Sequence, residues 1–174
     1  RGRSWGGRGG LERGETFALR VRDHRQIPRP YAGIDSYPID PSWNVHARFE
    51  PHASPKAVDL DFESFDPASK EQHIAAAFVS PGVVAFDRDG VTHRLEAVFE
   101  DSSQRRLFIL FRDATSGSES YGLGRFVYAP LPGQNGELLI DFNLAMLPGC
   151  AFTTFATCPI PPRENRLGIA VRAG

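Results

Sequence analysis

Several things are scarce in this 174-residue chain, and each scarcity narrows the reading. There are two cysteines, Cys150 and Cys158, and one methionine. Two thiols cannot fill a tetrahedral zinc site, and no Cys or His pair has zinc-ligand spacing. A disulfide framework is not needed for a core of this size; the two cysteines could close a small loop, but reduced thiols are the expected state. No run approaches the ~20 apolar residues that span a bilayer. No secretory signal is visible, although the chain begins at Arg1 without a methionine and so fits a trimmed start. A cytoplasmic protein without a membrane span is therefore expected. Net charge is also nearly absent, at −1. It is unevenly spread: residues 1–30 hold eight arginines against three acids, about +5, leaving about −6 elsewhere. No RNA-binding signature accompanies that basic start, so nucleic acid is not an expected partner.

What the chain does have is phenylalanine, proline and glycine: 13, 14 and 17 residues. Turns spread along the whole length argue against long helices, and the aromatic content argues for a rigid core. Residues 1–10, with five glycines and three arginines, read as a flexible segment ahead of a single β domain over 11–174. Alternating apolar residues predict strands over Glu12–Arg22, Trp43–Glu50, His73–Val79, Glu137–Asn143 and Arg166–Arg172. Ser80-Pro81-Gly82 reads as a turn. Asp59, Asp61, Glu63 and Asp66 read as a solvated strand face, since the EF-hand calcium pattern is missing. The expected fold is mainly β, an antiparallel meander closing as a small barrel, with a sandwich as the alternative.

Two hairpins stand out. Asp89-Gly90 is the dipeptide favoured in a two-residue type I′ turn, which pairs Arg88 with Val91, Phe86 with His93 and Val84 with Leu95. His93 then lies among apolar neighbours, as a packed core group or as a pocket residue titrating near neutrality. The second runs from Arg106 to Tyr128. A three-residue loop at Thr115-Ser116-Gly117 would pair Arg112 with Ser120, Phe111 with Tyr121, Leu110 with Gly122 and Phe108 with Gly124. Gly122 and Gly124 would leave one strand face bare, inviting a ring, another backbone or a ligand.

Candidate chemistries follow from these residues. A cysteine nucleophile lacks a nearby histidine, and Ser116 lacks the strand-to-helix elbow of a hydrolase. Gly122-x-Gly124-Arg125 could hold the phosphate of a flavin, but the glycines lie inside a strand rather than before a helix. The best fit is a small apolar or aromatic ligand in an aromatic-walled barrel, with Arg112, Tyr121, Arg125, Asn165 and Arg166 as polar fixtures. Asp113, Gly122, Gly124, His93, Cys150 and Cys158 complete the candidate ligand-binding residues. No catalytic residue and no cofactor is assigned. A non-catalytic structural or interaction domain is the close alternative, and a homodimer is allowed for. Leu144–Asn165, with four prolines and no periodicity, is expected to cap the barrel mouth.

Phe111-Arg112-Asp113-Ala114-Thr115-Ser116-Gly117 with Tyr121-Gly122-x-Gly124-Arg125 forms a long motif. Asp141-Phe142-Asn143, Tyr37-Pro38-Ile39-Asp40-Pro41-x-Trp43, and Cys150-Ala151-Phe152 through Cys158-Pro159-Ile160-Pro161-Pro162-x-Glu164-Asn165-Arg166-Leu167 extend it over nearly the whole chain. Together they resemble the bacterial and archaeal family of domain of unknown function 1684. The resemblance implies no established activity. It does imply that the central hairpin and the final loop meet in space. One stretch departs from the family: Asn143-Leu144-Ala145-Met146-Leu147-Pro148-Gly149-Cys150 stands where members usually read Asn-Arg-Ala-Tyr-Asn-Pro-Pro-Cys. A pocket there should be greasier.

Overall fold

The computed structural model describes residues 8–13, 16–21, 33–60, 62–63, 76–100, 102–152, 156 and 158–174. The chain divides into two compact units, residues 1–35 and 36–174. In the first unit, β1 (Arg8–Arg13) pairs antiparallel with β2 (Thr16–Val21). β2 lies inside the strand expected from the alternation, and Arg8–Gly10, within the segment read as flexible, begin its partner.

The second unit holds β3 (Asn44–Leu60), β4 (Phe62–Glu63), β5 (Ala76–Arg88), β6 (Val91–Phe99), β7 (Arg106–Phe111), β8 (Arg125–Pro130), β9 (Glu137–Asp141) and β10 (Cys158–Pro159). Six of these form an antiparallel sheet in the order β8-β7-β6-β5-β3-β9, and β4 pairs with β10 separately. Just past β9, Met146 and Phe126 exchange backbone hydrogen bonds of 2.8 and 3.0 Å, which draws the two edges into a nearly closed barrel. The only helical pieces among the described residues are short 3-10 turns. None is long and apolar enough to cross a membrane.

The Asp89–Gly90 hairpin has the register its sequence predicts. Arg88 opposes Val91, Phe86 opposes His93 and Val84 opposes Leu95. Asp89 and Gly90 both take positive φ, 53° and 76°, as a type I′ turn requires.

Three other expectations are corrected. The central hairpin pairs Phe108 with Tyr128 and Phe111 with Arg125, so residues 112–124 are all loop. Gly117 is left-handed at φ 89°, but it closes a turn in which Ser118, Glu119 and Ser120 all donate to the Thr115 carbonyl. Ser80-Pro81-Gly82 is not a turn: β5 runs through it with a bulge opposite a second bulge at Pro51–Lys56 of β3. A Cβ on Gly82 would sit 2.5 Å from the Glu50 carbonyl oxygen, so only glycine allows the two backbones to approach this closely. Finally, residues 166–172 form no strand of the sheet; they run beside the 112–125 loop.

The bulges change which side of the sheet β3 covers, because one extra residue flips a strand's faces. Before them, Val45 and Ala47 point into the barrel with Phe86, Leu95, Leu107, Ile109, Phe111 and Phe142. After them, Val58 and Leu60 lie on the outer face with Val98, Phe108 and Leu110. Large rings fill the interior, with Phe86, Phe111 and Phe142 at most 2% exposed. Burying each contributes about 1.5–3 kcal/mol. A small barrel has room for little beyond its own side chains, and these rings occupy much of it. The family-like segments at Tyr37–Trp43 and Asp141–Asn143 meet at one end. There the Asn143 side chain hydrogen-bonds both backbone groups of Asp40, and Trp43 packs edge-on against Phe142 at 5.8 Å.

Candidate functional site

The outer face is where charged side chains gather. β7 ends at Phe111, and the chain immediately bonds to the C-terminal segment. Arg112 donates its N–H to the Asn165 carbonyl (2.9 Å), and Leu167 donates to the Arg112 carbonyl (2.8 Å). This parallel bridge sets Arg112 directly beside Arg166. Between them Asn165 is buried, 1% exposed, and its side chain acts as a substitute peptide group. It accepts from Glu96 N (2.6 Å) and donates to the Glu96 and Leu110 carbonyls (2.9 and 2.7 Å). β6 and β7 need that substitute, because their own ladder is confined to Val98 opposite Phe108.

Gly124 has a close neighbour, as the sequence demands of it, though from a loop rather than a strand. A Cβ there would collide with the Phe111 oxygen and lie 3.0 Å from the Arg112 stem and 3.1 Å from Pro161. The proline-rich segment thus packs against the loop at Gly124. Beside it opens a cleft of about 520 Å³, lined by Ile160, Pro161 and Pro162 on the apolar side and by Asp59, Arg112, Arg163 and Arg166. The cleft is mixed rather than greasy, with three arginines among its described lining residues. Arg112 Nε is buried with no hydrogen-bond partner among the described residues.

Asp113 and Arg125 do a different job. Arg125 is 4% exposed and donates to the Val171 and Ala173 carbonyls, each at 2.6 Å, and to Asp113 at 3.3 Å. Burial pushes its guanidinium below the ordinary arginine value, and the charge of Asp113 offsets part of that. Asp113 in turn accepts from Thr115, Ser116 and the Val171 N–H. The pair ties the C-terminus to the loop and is enclosed, so it reads as structural.

The remaining candidates separate. Tyr121 OH lies 3.8 Å from Cys150 Sγ, and Gly122 is exposed. Cys150 is disulfide-bonded, and 158 is the position of the only other cysteine, so the expectation of reduced thiols is corrected. The backbone at 158 pairs with Glu63, which brings the segment back across the outer face. His93 packs on Phe86 at 5.3 Å, as a core group would, although its Nε2 is buried without a hydrogen-bond partner.

Sequence reasoning missed a second polar cluster at the bulges. Glu96 is 8% exposed, and its carboxylate takes Ser80 Oγ, His52 Nε2 (2.6 Å) and Lys56 Nζ (3.1 Å). Burial raises its pKa, and the hydrogen bonds from Ser80, His52 and Lys56 together outweigh that, holding the carboxyl below its usual range. Two signals existed: a lone acid inside the run Leu95–Phe99, and prolines in both facing strands. Asp59, Ile160 and Arg163 were missed as well; the spacing of Arg163 and Arg166 behind two prolines was the available clue.

Residues 29–174 match the family described as "Protein of unknown function (DUF1684)". The chain belongs to this family. A DUF1684 chain with this barrel is also similar to a solved structure, the solution NMR structure of an uncharacterized protein of Haloarcula marismortui. The two are 34% identical, with a TM-score of 0.63, over 83% of this chain and 76% of that one. No curated protein matches it. The DUF1684 match spans the Arg112 loop, the disulfide-bonded segment and the cleft together.

Proposed function

We propose that this domain binds a small ligand in the cleft beside Arg112, on the outside of the barrel rather than within it. One observation carries the reading: a 520 Å³ cleft, within the range of ~300–1,000 Å³ usual for small-molecule sites, combines an apolar proline wall with several charged side chains. The fixtures named from the sequence divide accordingly. Arg112 and Arg166 face the ligand; Asn165 holds the backbone beneath them; Asp113 and Arg125 anchor the C-terminal tail. An amphipathic compound, with an aromatic or aliphatic body and a polar end, suits such a lining. We also place the domain in an oxidising compartment rather than the cytoplasm, because reducing cytosol rarely sustains a structural disulfide.

The test is thermal denaturation against a panel of small aromatic and aliphatic compounds, since a ligand of the native state raises Tm. Ile160→Trp, which fills the cleft, is expected to abolish the shift. Stabilisation that persists in Ile160→Trp, or no stabilisation by any compound, would refute the assignment.

A further inference from the structure

The charge arrangement goes further than a general ligand site. Arg112 and Arg166 are bridge partners, and like charges held side by side repel each other. Arg163 opens the short 3-10 turn Arg163–Asn165 that leads into Arg166, and it lines the same cleft, so a third guanidinium joins them. Five arginines elsewhere have carboxylate partners: Glu50 for Arg48 and Arg94, Glu100 for Arg106, Asp113 for Arg125, Glu119 for Arg172. Among the described residues, no ion pair or hydrogen bond holds the side chain of Arg112, Arg163 or Arg166. Asp59 lines the same cleft and forms no ion pair with any of them. Among the described lining residues, three cations stand against one carboxylate.

That surplus matches one ligand chemistry closely. A phosphoryl monoester carries about −1.5 to −2 charge at neutral pH and three acceptor oxygens, whereas a carboxylate carries −1 and two. Planar guanidinium forks are suited to holding phosphate oxygens through paired hydrogen bonds. The adjoining Ile160, Pro161 and Pro162 offer an apolar surface that inorganic phosphate would leave uncovered. We propose that the cleft recognises a small organic phosphomonoester, its phosphoryl group between Arg112, Arg163 and Arg166 and its organic part against the prolines. This rests on the cleft being a ligand site at all.

Calorimetric titration of the full chain at about 50 mM salt, where screening is modest, tests it with phenyl phosphate, inorganic phosphate, benzoate and phenol. Phenyl phosphate is expected to bind at least tenfold more tightly than benzoate or inorganic phosphate. The exposed pair Arg163→Gln/Arg166→Gln should lose roughly tenfold or more for phenyl phosphate, with Arg48→Gln/Arg94→Gln as the unaffected control. Arg112→Ala should do the same, and if it fails to fold the exposed pair carries the test. Equal binding of benzoate and phenyl phosphate, or no loss in the exposed pair, overturns the phosphoryl assignment. Phenol binding that Ile160→Trp abolishes, with no gain from a phosphate group, leaves the ligand cleft standing and removes only the phosphoryl proposal. No binding by any probe removes both.

Discussion

Replacing Asn165 with alanine should be among the most damaging single changes in this protein. The side chain is 1% exposed and supplies three hydrogen bonds to backbone groups of two different strands: Glu96 N, Glu96 O and Leu110 O. Truncation leaves all three without that partner. A buried polar group left unsatisfied costs about 1–3 kcal/mol, and water entering the vacated space recovers part of it. Taking the low end for each group gives about 3 kcal/mol, against the ~5–15 kcal/mol by which domains are usually stable. With a urea m-value of about 2 kcal/mol/M, the midpoint should fall by about 1.5 M. Asn165→Asp sharpens the test. It keeps the shape but turns the donor end into an oxygen facing two carbonyls, so at neutral pH it should cost at least as much as alanine. Equilibrium urea unfolding followed by far-ultraviolet circular dichroism measures both. A loss below about 1 kcal/mol for Asn165→Ala, with an unchanged m-value, would refute the idea that one amide splices β6 to β7.

Other outcomes follow from the same contacts. Asp113→Ala leaves Arg125 buried without its counterion and should cost about 3–5 kcal/mol by the same unfolding measurement; a loss near zero would contradict a structural pair. Glu96 has a folded pKa below its unfolded value of about 4.5, so its contribution is present above that value and lost as pH falls through the folded one. Wild-type stability should therefore decline more steeply than that of Glu96→Gln between about pH 5 and pH 3; parallel declines would show that the cluster adds nothing. Unfolded, unreduced protein should give no free thiol in a colorimetric titration, because Cys150 is disulfide-bonded. Two free thiols would exclude the bond and the oxidising compartment with it.

How far the sequence could be read depended on how local the determinants were. The Asp89–Gly90 hairpin was legible because two adjacent residues dictate positive φ and the turn length then fixes every pair beyond it. Alternation along Leu107–Phe111 also separated Ile109 and Phe111 from Phe108 and Leu110, and the two sets lie on opposite faces; which set faces inward was not legible. The partner itself was not legible. Residues 112–124 fold around Asp113, which draws on Thr115 and Ser116 nearby but also on Val171, 58 residues away. No turn signature carries that information. The same holds for Ser80-Pro81-Gly82: three turn-forming residues became a bulge because β3 carries its own bulge opposite them. Of the site, Arg112, Asn165 and Arg166 could be named as polar residues in recurrent motifs, but their division into clamp and lining depends on one parallel bridge. Asp59 lacked even that much local signal, and Arg163 offered only its spacing to Arg166 behind two prolines.

If this domain meets its ligand in the charged cleft beside Arg112, backbone amide chemical-shift mapping with phenyl phosphate will show it. Perturbations should concentrate at Asp59, Arg112 and residues 160–166, where non-proline amides exist to report them. Shifts scattered over remote arginines such as Arg48 and Arg94, or none at saturating ligand, would contradict it.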